Sequence, residues 1–162
     1  MSGLLIRKGQ ADDCQLILQF IQHLADYEKL SHEVVATADD LQRTLFGEKT
    51  FANVLIAELD GKPVGFSLYF YNYSTFLAKP GLYLEDLFVL PEARGKGVGK
   101  ALLAEMAKIA LENDCGRFEW SVLDWNQPAI DFYRSIGAVG MDEWTVQRVD
   151  GKALTELAQQ AI

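Results

Sequence analysis

The hexapeptide Arg94-Gly95-Lys96-Gly97-Val98-Gly99 is the part of the chain whose residue types and spacing most directly suggest chemistry. Glycines let successive backbone N–H groups point into one concavity, and a helix beginning there adds partial positive charge, so the segment suits a diphosphate. Three glycines and two cations would make a costly plain turn, because each glycine gives up more freedom on folding than any other residue. Two common phosphate loops do not fit. A dinucleotide fingerprint needs G-x-G-x-x-G, but the third glycine comes one residue early and no βαβ unit leads into it. A Walker A loop needs G-x-x-x-x-G-K-[ST], but Arg94 stands at its first glycine and Ala101 replaces the hydroxyl that would hold Mg²⁺.

The second chemical feature is Glu85-Asp86, two adjacent carboxylates inside the otherwise apolar run Leu82-Tyr83-Leu84-Glu85-Asp86-Leu87-Phe88-Val89-Leu90. Strand alternation places the two on opposite faces unless a bulge intervenes.

The elements that must position these residues follow from periodicity and punctuation. A short strand over 4–7 leads to Asp12 and Asp13, which offer an N-cap to a helix with the stripe Cys14, Ile17, Leu18, Ile21, Leu24 and Ala25. Thr37-Ala38-Asp39-Asp40 resembles a capping box and starts a second helix. Strands over 51–59 and 64–73 flank the hairpin turn Asp60-Gly61. The carboxylate strand, a helix over 98–112 and a strand through Phe118, Trp120 and Val122 come next. A helix over 127–135 has Pro128 in its first turn and Gly137 past its end. A last strand over 143–149, the turn Asp150-Gly151 and a short helix complete the chain. This order predicts the α/β (α+β) class, with a mixed, mostly antiparallel central sheet and helices on both faces.

At 162 residues, with 49% hydrophobic and 23% charged, the chain reads as one soluble domain, 1–162, large enough to hold a core without disulfides or a structural metal. The net charge of -8 excludes the Lys/Arg excess that recruits nucleic acid or anionic membrane, and permits a cationic partner. Cys14 and Cys115 form no metal-ligand cluster and read as buried thiols of a reducing compartment. No signal peptide or 20-residue apolar run is evident, so the expected location is the cytoplasm.

Arg94-Gly95-Lys96-Gly97-Val98-Gly99 matches R-x-x-G-x-G, and from Ile6 to about Ala158 the chain resembles the GNAT superfamily of N-acetyltransferases. Ala25-Asp26-Tyr27-Glu28, Tyr83-Leu84-Glu85-Asp86, Pro91-Glu92-Ala93-Arg94-Gly95 and Asn126-Gln127-Pro128-Ala129-Ile130-Asp131-Phe132-Tyr133 together resemble its diamine acetyltransferase family. Tyr73-Ser74-Thr75-Phe76 and Val122-Leu123-Asp124-Trp125-Asn126-Gln127 are closer to the thialysine branch than to the spermidine/spermine branch, although Phe76 stands where that branch has Trp.

The resemblance implies a GNAT fold, acetyl-CoA as co-substrate, no metal, a small cationic amine as acceptor and a homodimer. It assigns Glu85 to substrate binding and proton removal. An alkylammonium titrates near 10.4, so a base is needed at neutral pH. Tyr133 stands at the position of the acid that protonates the departing thiolate. Backbone N–H groups of Leu87, Phe88 and Val89 would face the acetyl carbonyl. Arg94, Gly95, Lys96, Gly97, Val98, Gly99 and Lys100 would hold the diphosphate, with Asn126, Pro128, Ala129 and Tyr133 along the rest of the cofactor. Tyr27, Glu28, Glu85 and Asp86 would bind the amine, and Tyr69, Tyr71, Tyr73 and Phe76 either line its methylene chain or serve a core or subunit interface. His23 and His32 are expected to be surface residues, leaving direct attack within a ternary complex. Transfer to a protein or peptide amine, and a non-turning acyl-CoA sensor, are the alternatives.

Overall fold

Asp60 (φ 51°) and Gly61 (φ 81°) both adopt left-handed backbone, as a two-residue hairpin turn with native strand twist requires. The turn joins β2 (Asn53–Leu59) to β3 (Lys62–Ser74), the first pair of a five-stranded sheet in the computed structural model, which describes residues 3–162. Met1 and Ser2, the start of the segment read as lacking a targeting signal, lie outside the described residues. With β1 (Leu4–Lys8), β4 (Lys79–Val89) and β5 (Phe118–Trp120), the sheet order is β1-β2-β3-β4-β5. Every neighbouring pair is antiparallel except β4 and β5, which are parallel. The chain divides into two compact units at Ser121/Val122, with the whole sheet in the first.

On one face of the sheet lie α1 (Cys14–Tyr27) and α2 (Ala38–Leu45). Ile17 and Phe20 of α1 pack with Val54, Ile56, Phe66 and Phe88 of the strands, and Phe20 stacks on Phe66 with ring centroids 5.5 Å apart. The box at α2 forms as expected: Asp40 N donates to Thr37 Oγ1 and Thr37 N donates to Asp40 Oδ2. Asp13 does not cap α1 with its side chain. Its carboxylate instead accepts from Gln10 N and from both Nη groups of Arg7, while Arg7 Nε donates to Glu58 at 2.7 Å. On the other face, α3 (Val98–Glu112) buries Val98, Leu102 and Met106.

Several boundaries differ from the sequence reading. The hairpin begins at Asn53 because Phe51 is exposed. β4 starts at Lys79 and takes in Pro80, which is tolerated because β5 reaches only Leu82 to Leu84 and leaves that end of β4 without a β5 partner. β5 ends at Trp120, so Val122 is not strand.

The second unit, Val122–Ile162, contains α4 (Gln127–Ser135) and α5 (Gly151–Ala158). The strand expected over 143–149 is absent, although Trp144 and Val146 alternate with Glu143, Thr145 and Gln147. A strand needs a neighbour for its N–H and C=O groups, and this unit offers none. Trp144 and Val146 are accordingly exposed. Among the described residues no helix is long and apolar enough to cross a membrane.

Candidate active site

The glycine-rich loop lies where the sequence reading places it, between the end of β4 and α3. Gly95 (φ 77°) and Gly97 (φ 80°) occupy left-handed backbone that residues with a Cβ rarely adopt. Gly97 is the N-cap of α3 and supplies no side-chain cap; the helical ladder begins with Ala101 N donating to Gly97 O. The N–H groups ahead of Ala101 therefore suit the helix start to an anion, with Lys96 and Lys100 exposed around it. A Cβ built at Gly95 would meet nothing within 4 Å, so the loop is open to a bulky ligand. These features fit a diphosphate.

Arg94, expected as a third loop cation, also makes contacts outside the loop. Its Nε donates to Val89 O at 3.0 Å, and its guanidinium carbon lies 5.3 Å from the centre of the Tyr27 ring and 5.5 Å from that of Phe88.

The two carboxylates of β4 sit on a bulge. Opposite β3, Leu68 pairs with Asp86 and Tyr69 with Leu84, so Glu85 is the extra residue. The bulge cancels the alternation that would have separated the pair. Asp86 shares the α1 face with Phe88 two residues on, and Glu28 at the end of α1 is close enough to act on it. Burial, then Glu85, then Glu28 push the Asp86 carboxyl up to about 6. Burial also raises that of Glu28, whereas Glu85 is exposed. Glu85 and Glu28 thus both act on Asp86, Arg94 of the loop lies against Tyr27, the residue before Glu28, and the three carboxylates form no ion pair among the described residues.

The ladder between β4 and β5 stops at Leu84 and Trp120. Beyond it, the main chain of Leu87, Phe88 and Val89 pairs with β3 on one side and with no strand on the other.

Asn126, Pro128, Ala129 and Tyr133 all belong to the second unit. Asn126 caps α4, with its Oδ1 accepting from Ala129 N at 3.4 Å, and Pro128 occupies the first turn. The Tyr133 ring lies against Phe132, with centroids 5.8 Å apart.

The aromatic residues of β3 do not join the carboxylates. Tyr69 is 5% exposed, touches Tyr71 edge-on and lines, with Glu105 and Glu112, a cleft on the α3 side of the sheet. Tyr73 is exposed and Phe76 fully so. Burial raises the thiols of Cys14 and Cys115, which makes them poor nucleophiles. His23 and His32 are both exposed, as expected, and His23 in addition stacks flat on Phe88, 6.0 Å between centroids. That stack and the Arg94 contacts were missed by the sequence reading. The only signal was the i, i+4 spacing of His23 and Tyr27 on α1.

Residues 18–138 match the model of the acetyltransferase (GNAT) family. The chain is 40% identical to a thialysine N-epsilon-acetyltransferase of Sus scrofa, over 98% of this chain and 99% of that one. It is 34% identical to the L-ornithine N5-acetyltransferase of Arabidopsis thaliana, over 92% and 85%. An integron cassette protein from V. cholerae superposes with a TM-score of 0.83 at 29% identity, covering 99% of this chain and 100% of that one.

Proposed function

The chain belongs to the acetyltransferase (GNAT) family and is an N-acetyltransferase; from that premise we propose that it carries acetyl from acetyl-CoA to a small cationic amine, a thialysine- or lysine-like amino acid or a diamine, in a ternary complex. The observation that carries this reading is the meeting of Glu28, Glu85 and Asp86 beside an anion-binding loop. Such a group of carboxylates suits a cation on the amine side, and the loop suits a diphosphate on the other.

Proton removal was expected of Glu85. We assign it to Asp86, because a carboxyl titrating near 6 is a stronger base at neutral pH than an ordinary carboxylate. Glu85 and Glu28 then serve as counter-charges for the ammonium. Acetyl-CoA, when bound, supplies a thioester whose carbonyl the neutral amine attacks. N–H groups of Leu87, Phe88 and Val89 on the side of β4 that β5 leaves open are suited to the charge that develops on the carbonyl oxygen. Tyr133 takes the role of acid toward the departing thiolate. Asn126, Pro128 and Ala129 shape the α4 turn that carries it.

In this reading residues 1–162 work as one domain; in its support, the family match over residues 18–138 runs across the Ser121/Val122 division. The protein is cytoplasmic, in keeping with its two free thiols. It is a homodimer, for which the exposed, strand-patterned residues 143–149 are suited. The test is CoA release with thialysine, lysine, ornithine, 1,3-diaminopropane and spermidine. Release with one or more of these small amines is expected. Release only with protein or peptide amines, or with none, would overturn the substrate class.

A further inference from the structure

Arg94 belongs to the loop by sequence and to the amine subsite by contact. Its Nε bond to Val89 O fixes the guanidinium at the end of β4, and its carbon lies within cation–π range of both Tyr27 and Phe88. Phe88 is buried and held further by the stacked His23. Tyr27, by contrast, is 41% exposed at the last turn of α1. The next residue is Glu28, which acts on Asp86. One planar group therefore touches the anion loop on its own chain segment and the residue that opens the amine subsite on another.

Resting on the acetyltransferase reading, we propose that Arg94 is a positioning residue for the amine subsite: it holds the Tyr27 ring from the loop, so that an occupied loop strengthens amine binding. The two Nη groups of Arg94 make no hydrogen bond or ion pair among the described residues, and they remain available to an anion while the guanidinium faces the rings. An anion gripping them fixes the plane of the guanidinium and with it the Tyr27 ring. Linkage makes the effect reciprocal: the amine tightens the anion by the same factor. Lys96 and Lys100 supply the remaining charge toward a diphosphate, so the coupling is separable from affinity for the loop.

The experiment measures thialysine affinity by calorimetry with and without coenzyme A, which fills the loop but has no acetyl group to transfer. Wild-type protein, R94K, Y27L and the double variant are compared. Coenzyme A is expected to tighten thialysine by about fivefold or more in the wild type. That factor is expected to fall below about twofold in R94K and in Y27L, with no further fall in the double variant. R94K is expected to weaken coenzyme A as well, since lysine cannot reproduce the two Nη contacts, so the coupling is read as the ratio of thialysine affinities with and without saturating coenzyme A. Coupling intact in R94K, whatever its coenzyme A affinity, would overturn the proposal and leave Arg94 a loop cation. So would a wild type that binds both molecules independently. Failure of the wild type to bind coenzyme A, or to bind thialysine in either state, would sink the underlying reading and the proposal with it.

Discussion

Two groups of acidic side chains in the first unit are treated in opposite ways. Asp13 and Glu58 share the Arg7 guanidinium at 2.7–2.8 Å, and the hydrogen bond from Arg7 holds the Asp13 carboxyl below its ordinary range. Among the described residues Glu28, Glu85 and Asp86 form no ion pair, and burial together with the two neighbouring carboxylates drives Asp86 up to about 6. The first group ties β1 and β2 to the start of α1 and is complete in itself. The second is incomplete, and what it lacks is a positive charge. Paired carboxylates stabilise a fold, whereas converging, half-buried carboxylates without a partner work against it and persist where a ligand supplies the missing charge.

The two groups depend on pH with opposite sign. The folded-state pKa of Asp13 is depressed, so its contribution is present above the unfolded value and is lost as pH falls through the folded one. That of Asp86 is raised, so its contribution is present below the unfolded value and is lost as pH rises through about 6. The displacement from 3.8 to about 6 corresponds to a penalty of at most about 3 kcal/mol at neutral pH. An ammonium in the subsite would relieve it.

The largest effect that would break this contrast comes from Asp86→Asn. It should lower kcat/KM by about 10²–10⁴-fold and remove the rise of rate through pH 6. The same change should raise the Tm of the ligand-free protein by a few degrees, since it removes a buried, like-charged group. Loss of activity together with loss of stability would make Asp86 a structural residue. Tyr133→Phe should lower kcat by about 10²-fold with little change in acetyl-CoA affinity, and an unchanged kcat would remove it as the acid.

The paired group gives a smaller and different signal. Arg7→Leu should cost about 1–2 kcal/mol at pH 7, read from urea denaturation, because it strands two partly buried carboxylates. Its kcat/KM should stay near wild type, and most of the stability deficit should vanish below the ordinary carboxylate range. The smallest effect is expected for Glu28→Gln, which keeps two carboxylates in the subsite. It should raise the amine KM several-fold, leave kcat nearly unchanged and move the midpoint of the rate profile slightly below that of wild type, as a like charge is removed.

How much of this was legible in the sequence depends on how local the cause is. Val98–Glu112 and the Thr37–Asp40 box are set by spacing and capping within a few residues, and both are found as expected. Glu143 to Gln147 alternate as a strand would, yet no strand forms over 143–149, because pairing depends on a partner that the pattern cannot name. Glu85 and Asp86 show the same limit within the site. Sequence marks both as anomalous in an apolar strand. Which of them is buried follows from the skip opposite Leu68 and Tyr69, a property of the pairing and not of either residue. Arg94 likewise announces itself as a loop cation, while its contacts with Tyr27 depend on where α1 ends in space.

In the proposed reading burial, with Glu85 and Glu28 adding to it, holds Asp86 out of its ordinary range until the substrate brings a cation. Carboxyl-carbon NMR of the protein labelled at aspartate, with Asp86 assigned by the Asp86→Asn variant, reads this directly. Without ligand the Asp86 signal should titrate near 6. With coenzyme A and saturating thialysine the midpoint should fall by about a unit or more, as the ammonium favours the charged form. A midpoint near 4 in the free protein, or one that does not move when the amine binds, would contradict the account.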